Sequence, residues 1–104
     1  MTTEQAIFNL LGIAASARQI VSGEEQVVKE VRTNKAKLVI VSNDASQNTT
    51  KKMHDKCAFY NVPIYTFGSR EQLGHATGRE SRVSLAIMDN GFAKKLSQYF
   101  NELA

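Results

Sequence analysis

Glu25, Lys29 and Arg32 stand at i, i+4 and i+7 in the stretch Ser22-Gly23-Glu24-Glu25-Gln26-Val27-Val28-Lys29-Glu30-Val31-Arg32. That spacing sets the three on one side of a helix, while Val27, Val28 and Val31 fall on the other. A helix led by a glycine turns free N–H groups and a positive dipole end outward, an arrangement suited to an anion. Long polar side chains behind such an end, with Gln26 and Thr33 beside them, suit a phosphate backbone. The same residues admit a local role. Ser22-x-x-Glu25 is also a capping box, in which Glu25 folds back on its own helix. Both roles stay open at this point.

Other constellations carry less. His54 and Cys57 are three apart on a predicted helix, which sets two metal ligands on one face. No second pair joins them and His75 stands alone, so a core-facing Cys57 and a solvent-side His54 are the plainer reading. Asn43-Asp44 follows an apolar run, where doubly wound enzymes hold acidic residues. No second carboxylate occupies a comparable strand end, and no lysine follows residues 83–88, so neither a phosphoacceptor nor a Mg²⁺ role is expected. The patterns GxGxxG, GxSxG and GxxxxGK followed by Ser or Thr are absent. An enzyme is not expected, and no cofactor or metal is implied.

The elements that must hold these residues read off in order. Thr2 with Gln5 three residues on opens a first helix. Ile7, Leu10, Leu11, Ala14 and Ala17 repeat at helical spacing and are expected to face the core, with Gly12 as a close packing point. Residues 18–22 read as a short strand, and the glycine-led helix then runs to about Asn34. Residues 37–42 are an apolar run bounded by polar residues, as expected of a central buried strand. A turn over 43–47 leads to a helix over 48–60, with Met53, Cys57 and Tyr60 at i, i+4 and i+7.

Val62-Pro63 forces an extended chain into a strand over 64–67. Ser69-x-x-Gln72 is another capping box, starting a short helix that ends near Gly78. A charged loop, Arg79-Glu80-Ser81-Arg82, precedes a strand over 83–88. Asp89-Asn90-Gly91 turns into a last helix with Phe92, Leu96, Tyr99, Phe100 and Leu103 as its apolar stripe. Helices alternating with short strands predict an α/β fold: a three-layer α/β/α sandwich on a small, about four-stranded mixed sheet. The chain is expected to form one domain over residues 1–104.

Thirteen Lys+Arg against ten Asp+Glu give a net charge of +3, mildly basic and compatible with an RNA partner. The excess positive charge lies between residues 18 and 88, largely at element ends. Lys51, Lys52, Lys56, Lys94 and Lys95 read as solvated helix faces. A lone Cys57 fits a reducing compartment, and the polar amino terminus is unlike a signal peptide. With no apolar run approaching the length of a membrane span, a cytoplasmic location is expected.

Three segments together carry a resemblance: Ser22-Gly23-x-x-Gln26-Val27-Val28-Lys29, Ala36-Lys37-Leu38-Val39-Ile40-Val41 and Leu73-Gly74-x-Ala76-x-Gly78. The chain resembles the kink-turn RNA-binding ribosomal proteins of the archaeal L7Ae and L30e type, and within them the small bacterial YlxQ-type proteins, over about residues 5–100. The resemblance implies an α/β/α sandwich that binds RNA at one edge. There the glycine-led helix enters the groove of a kinked duplex with tandem sheared G·A pairs. A flipped-out nucleotide is held between the loop after the central strand and the loop following Gly78.

Position by position, the resemblance implies that Gly23 allows close approach of the RNA backbone and that Lys29 contacts phosphate or a guanine edge. Glu25 stands where kink-turn binders usually have Asn, and Gln26 where they have Glu or Gln. Ser46 replaces a common acidic contact to the bulged base, and Arg70 matches a basic position near it. Arg79, Glu80, Ser81 and Arg82 fill a loop that is usually apolar. Guanine presents only acceptors in its major groove, so an amide donates there and the Glu25 carboxylate does not. An arginine plane in the 79–82 loop remains able to stack on an unpaired base.

The expected function is therefore non-enzymatic recognition of structured RNA, with ribosomal RNA and ribosome components as candidate partners and neither DNA nor a membrane. Lys29, Arg32, Lys37, Arg70, Arg79 and Arg82 are expected to supply the phosphate contacts. The alternative is a protein–protein adapter on the same fold, with RNA binding abolished by Glu25 and Glu80. A small nucleotide-binding or phosphotransfer domain is the third reading.

Overall fold

The computed structural model describes residues 1–104. In order they form α1 (Thr3–Ser16), β1 (Ile20–Ser22), α2 (Glu24–Arg32), β2 (Leu38–Val41), α3 (Gln47–Phe59), β3 (Ile64–Thr66), α4 (Arg70–Ala76), β4 (Ser84–Ile87) and α5 (Asn90–Leu103). The strands make one sheet in the order β1-β4-β2-β3. The β2–β3 pair is parallel, and β4 runs antiparallel to both β1 and β2. This is the expected mixed four-stranded sandwich.

Side-chain alternation builds both faces. On β2, Leu38 and Ile40 point to one side and join Ile7, Leu11, Leu73, Leu96 and Phe100 of α1, α4 and α5. Val39 and Val41 point to the other and join Val27, Val28, Val31, Met53 and Cys57 of α2 and α3. Every residue of β2 and β4 is buried, because helices cover both sides of these central strands. Each fully buried Leu or Ile contributes about 1.5–3 kcal/mol through removal from water. Tyr65 stacks on Phe100 at 4.3 Å between ring centroids, closing the first layer under the edge strand β3.

Local chemistry sets the boundaries. Thr2 and Gln5 form the expected capping box at α1, and Ser69 and Gln72 form the one at α4. Gly12 is a close packing point, since a Cβ there would sit 3.2 Å from the Ala76 carbonyl oxygen. Several expectations need correcting. The first strand does not begin at 18: Arg18 takes φ 60° in a left-handed turn, so pairing starts at Ile20. Ala17 is not in the core, because α1 has already ended and Ala17 is its exposed C-cap. The second helix stops at Arg32 rather than Asn34, which turns out at φ 60°. Leu103 is exposed in the last turn of α5, and Ala93 supplies the buried contact instead.

Candidate nucleic-acid interface

Sheet register gathers most of the candidate residues at one margin. Ser22 pairs with Leu85, and Val41 with both Ser84 and Thr66. The ends of β1, β2 and β3 and the start of β4 therefore lie together. So do the amino ends of α2, α3 and α4, because each follows the exit of a strand. Gly23, Glu25, Gln26, Ser46, Arg70 and the segment Arg79, Glu80, Ser81, Arg82 share this margin, and Lys29 follows within α2.

Two basic residues lie elsewhere. Arg32 is in the last turn of α2, about 12 Å along the axis from Glu24 at 1.5 Å per residue. Lys37 is at the opposite end of the sheet, where its N–H donates to the Ile87 carbonyl at 2.7 Å. Lys37, expected among the phosphate contacts, thus lies away from the 79–82 loop, with the length of β2 between them.

The amino end of α2 is left open. Its N-cap is Gly23, with φ 97° and ψ 138°, and no side chain bonds to the first turn. That conformation is strained for any residue with a Cβ. Gly23 is also exposed, and a Cβ built there would meet nothing within 4 Å. The four other helices are each closed by a side chain, from Thr2, Ser46, Ser69 and Asp89.

The Ser22-x-x-Glu25 capping box, one of the two roles open to Glu25, is absent for two reasons. The helix starts one residue later than the box requires, making Gln26 rather than Glu25 the third helical residue. The Ser22 hydroxyl is also already engaged, accepting from Arg82 Nε at 2.9 Å. Glu25 and Gln26 are both exposed, and Glu24 reaches Lys52 of α3 at 3.4 Å.

The 79–82 loop is pressed against α4 by Gly74. A Cβ at 74 would fall 2.6 Å from Ser81 Cα and 2.7 Å from the Glu80 carbonyl carbon and oxygen, so only glycine permits this approach. Main-chain bonds fix both ends of the loop: Arg79 N–H donates to Gly74 O at 2.7 Å and Arg82 N–H to Arg70 O at 2.9 Å. Arg79, Glu80 and Ser81 are exposed. Arg82 is half-buried and bound at both ends of its guanidinium, to Ser22 and, through Nη1, to the Ser81 carbonyl at 2.7 Å. It ties the loop to the end of β1. Between them lies a cleft of about 480 Å³ bordered by Gly23, Glu24, Thr49, Ser81 and Arg82.

A second clasp stands across the margin. The Asp44 carboxylate accepts from the Arg70 main-chain N–H at 3.1 and 3.3 Å, while Arg70 Nη2 donates to the Asp44 carbonyl at 2.6 Å. The Ser42 hydroxyl, the Arg70 N–H and the guanidinium charge hold Asp44 below its ordinary pKa of 3.8 against partial desolvation. Ser42 Oγ lies buried near this carboxylate but outside full hydrogen-bonding geometry. Ser46 is occupied as the α3 N-cap, its Oγ accepting from Thr49 N–H at 3.1 Å.

Asp44 and Ser22 thus act here as positioning residues. Their partners lie 26 and 60 residues away, so no local pattern announces them. Gly74 was visible only as part of a signature.

The His54–Cys57 pair forms no site. Cys57 is fully buried in the α2–α3 layer, and burial pushes its thiol up to about 11, which removes it as a nucleophile near neutral pH. No three His, Cys, Asp or Glu side chains gather in a metal-holding group. No helix is long and apolar enough to cross a membrane. The margin thus presents open N–H donors at α2 beside cations at Lys29, Arg70 and Arg79, an arrangement suited to an extended anion.

Comparison with known proteins agrees with this geometry. The RNA-binding protein YlxQ of Bacillus subtilis (strain 168) is 53% identical over 89 residues, covering 86% of this chain and 89% of that protein. A solved structure of a Bacillus halodurans protein of unknown function superposes with a TM-score of 0.90 at 45% identity, covering 91% of this chain and 96% of the other. The Giardia lamblia 15.5kD RNA binding protein shares the fold at a TM-score of 0.83 and 23% identity, over 96% and 86% of the two chains. The model of the ribosomal protein L7Ae/L30e/S12e/Gadd45 family matches residues 5–97. With the glycine-led α2 and the Gly74-packed loop set at one margin of the α/β/α sandwich, the chain belongs to the ribosomal protein L7Ae/L30e/S12e/Gadd45 family.

Proposed function

We propose that this chain binds structured RNA, receiving a kink-turn-type bent duplex against the amino end of α2 and the 79–82 loop. The observation that carries the reading is the open first turn at Gly23, the one helix start without a side-chain cap, set beside the Arg82-braced loop. A phosphate seated there meets main-chain N–H donors and the positive end of the helix. Lys29 takes the next phosphate or donates to guanine O6 and N7, and the Gln26 amide donates in the same groove.

Arg79, exposed on a fixed main chain, stacks its guanidinium on an unpaired base, and Arg70 flanks that base from the other side. Lys37 falls outside this contact set and Arg32 at its far end. Kinship with YlxQ, named an RNA-binding protein, supports the reading. The ribosomal members of the family support ribosomal RNA as the target.

The test is the salt dependence of affinity for a kink-turn duplex. Occupation of about four to six phosphates gives a log–log slope of roughly −4 to −5. Lys29→Glu is expected to weaken binding at least about tenfold more than Lys94→Glu on α5, as a lost charge-assisted contact would. Equal losses for the two variants would place the RNA elsewhere.

A further inference from the structure

The outward face of α3 holds an aromatic ring that nothing in the duplex-binding margin uses. Phe59, the last residue of α3, is 76% exposed, and the other large exposed apolar side chains, Met1, Ile13 and Leu103, are all aliphatic. Tyr60 braces the Phe59 ring edge-on, with centroids 4.8 Å apart and planes at 78°. Lys56 and Lys52 stand one and two turns back, bordering with Phe59 a shallow surface cleft of about 810 Å³.

The cations on this face are available. Lys51 meets Asp55 at 2.7 Å as a well-exposed pair, and Lys52 meets Glu24 at 3.4 Å as a partly exposed one. Exposed pairs of this kind are weak and exchange readily for a phosphate. Lys56 is half-buried and has no acidic partner. The face also runs into the duplex-binding margin, for Thr49 in the first turn of α3 borders the cleft at Gly23 and Arg82. From Thr49 to Phe59 the helix rises about 15 Å, the span of about four stacked nucleotides at roughly 3.4 Å each.

We infer that the outer face of α3 binds an unpaired RNA strand leaving the duplex, with phosphates along Lys51, Lys52 and Lys56 and a base stacked on Phe59. Cations along a groove with an aromatic platform are the means of holding single strands with little sequence preference. The inference rests on the duplex reading above but uses a different surface, so each is tested separately.

Fluorescence anisotropy with a kink-turn duplex decides it, the duplex being blunt or carrying five unpaired uridines at one end or the other. An extension at one of the two ends is expected to tighten binding about fivefold or more, as one stacked base would. Phe59→Ala removes that gain and leaves blunt-duplex affinity unchanged, and Lys56→Gln reduces the gain. No gain at either end, or a gain that survives Phe59→Ala, overturns the inference. Lys29→Glu is expected to weaken blunt and extended duplexes alike. If the blunt duplex is not bound at all, the duplex reading fails by itself, and free oligouridine then decides the α3 face. Binding lost with Phe59→Ala sustains that face, and no binding overturns it.

Discussion

The amino ends of α2 and α4 meet the same margin of the sheet and are finished in opposite ways. At α4, Ser69 Oγ accepts from Gln72 N–H at 3.0 Å, Gln72 Oε1 accepts from Ser69 N–H at 2.9 Å, and Asp44 takes the Arg70 N–H. At α2, Gly23 offers nothing to the first turn, although Ser22 is adjacent, because Arg82 holds that hydroxyl. A side-chain cap stabilises a helix by about 1 kcal/mol. The fold delivers several helix starts to one place, and sequence decides which of them are sealed. Stability governs the choice at α4. At α2 the missing cap leaves donors free for a ligand.

Substitutions at the two sites sharpen this contrast. Gly74→Ala has the largest expected effect, because the added Cβ overlaps main-chain atoms of Glu80 and Ser81 that a rotamer change does not relieve. Overpacking of this kind costs about 1–3 kcal/mol or more, read as a lower urea midpoint at unchanged slope, and the displaced loop lowers RNA affinity as well. Next comes a matched pair. Gly23→Ala introduces backbone strain of about 1–3 kcal/mol and weakens RNA binding. Ser69→Ala costs about 0.5–2 kcal/mol by loss of its cap and leaves RNA affinity within twofold of the parent. Loss of RNA affinity in Ser69→Ala alone would invert the assignment of open and sealed ends.

The smallest effect is expected from Glu25→Asn. Glu25 is exposed and closes no cap, so its replacement leaves the unfolding midpoint unchanged. Affinity for a kink-turn duplex rises about two- to fivefold as a carboxylate facing phosphates gives way to an amide that donates to guanine. A weaker complex would assign Glu25 a favourable contact of its own.

What was legible in the sequence is what short-range physics decides. Thr2 with Gln5 and Ser69 with Gln72 are reciprocal caps whose partners are three residues apart, and both form. The apolar run of β2 and the valine stripe of α2 announce a central strand and a covering helix. Ser22-x-x-Glu25 has the same local pattern as the two real caps and still does not form. The competing Arg82 guanidinium arrives from 60 residues away, and pairing of Ser22 with Leu85 carries the strand up to Gly23. Arg82 read only as a phosphate contact, and its bracing of Ser22 was not visible; Asp44, for which no enzymatic role was expected, clasps Arg70. Lys37 looked equivalent to the other basic residues until register put it at the far end of β2.

The position of β4 has a further consequence for when the molecule becomes competent. β1 has no strand partner except β4, which is the last strand in sequence and sits between β1 and β2. A chain emerging through β3 holds only the parallel β2–β3 pair, with β1 and the glycine that follows it unanchored and the arginine brace still unmade. The margin at Gly23 therefore depends on a strand that comes last in the chain. A chain that stops before Arg82 lacks both the strand partner of β1 and the brace on Ser22.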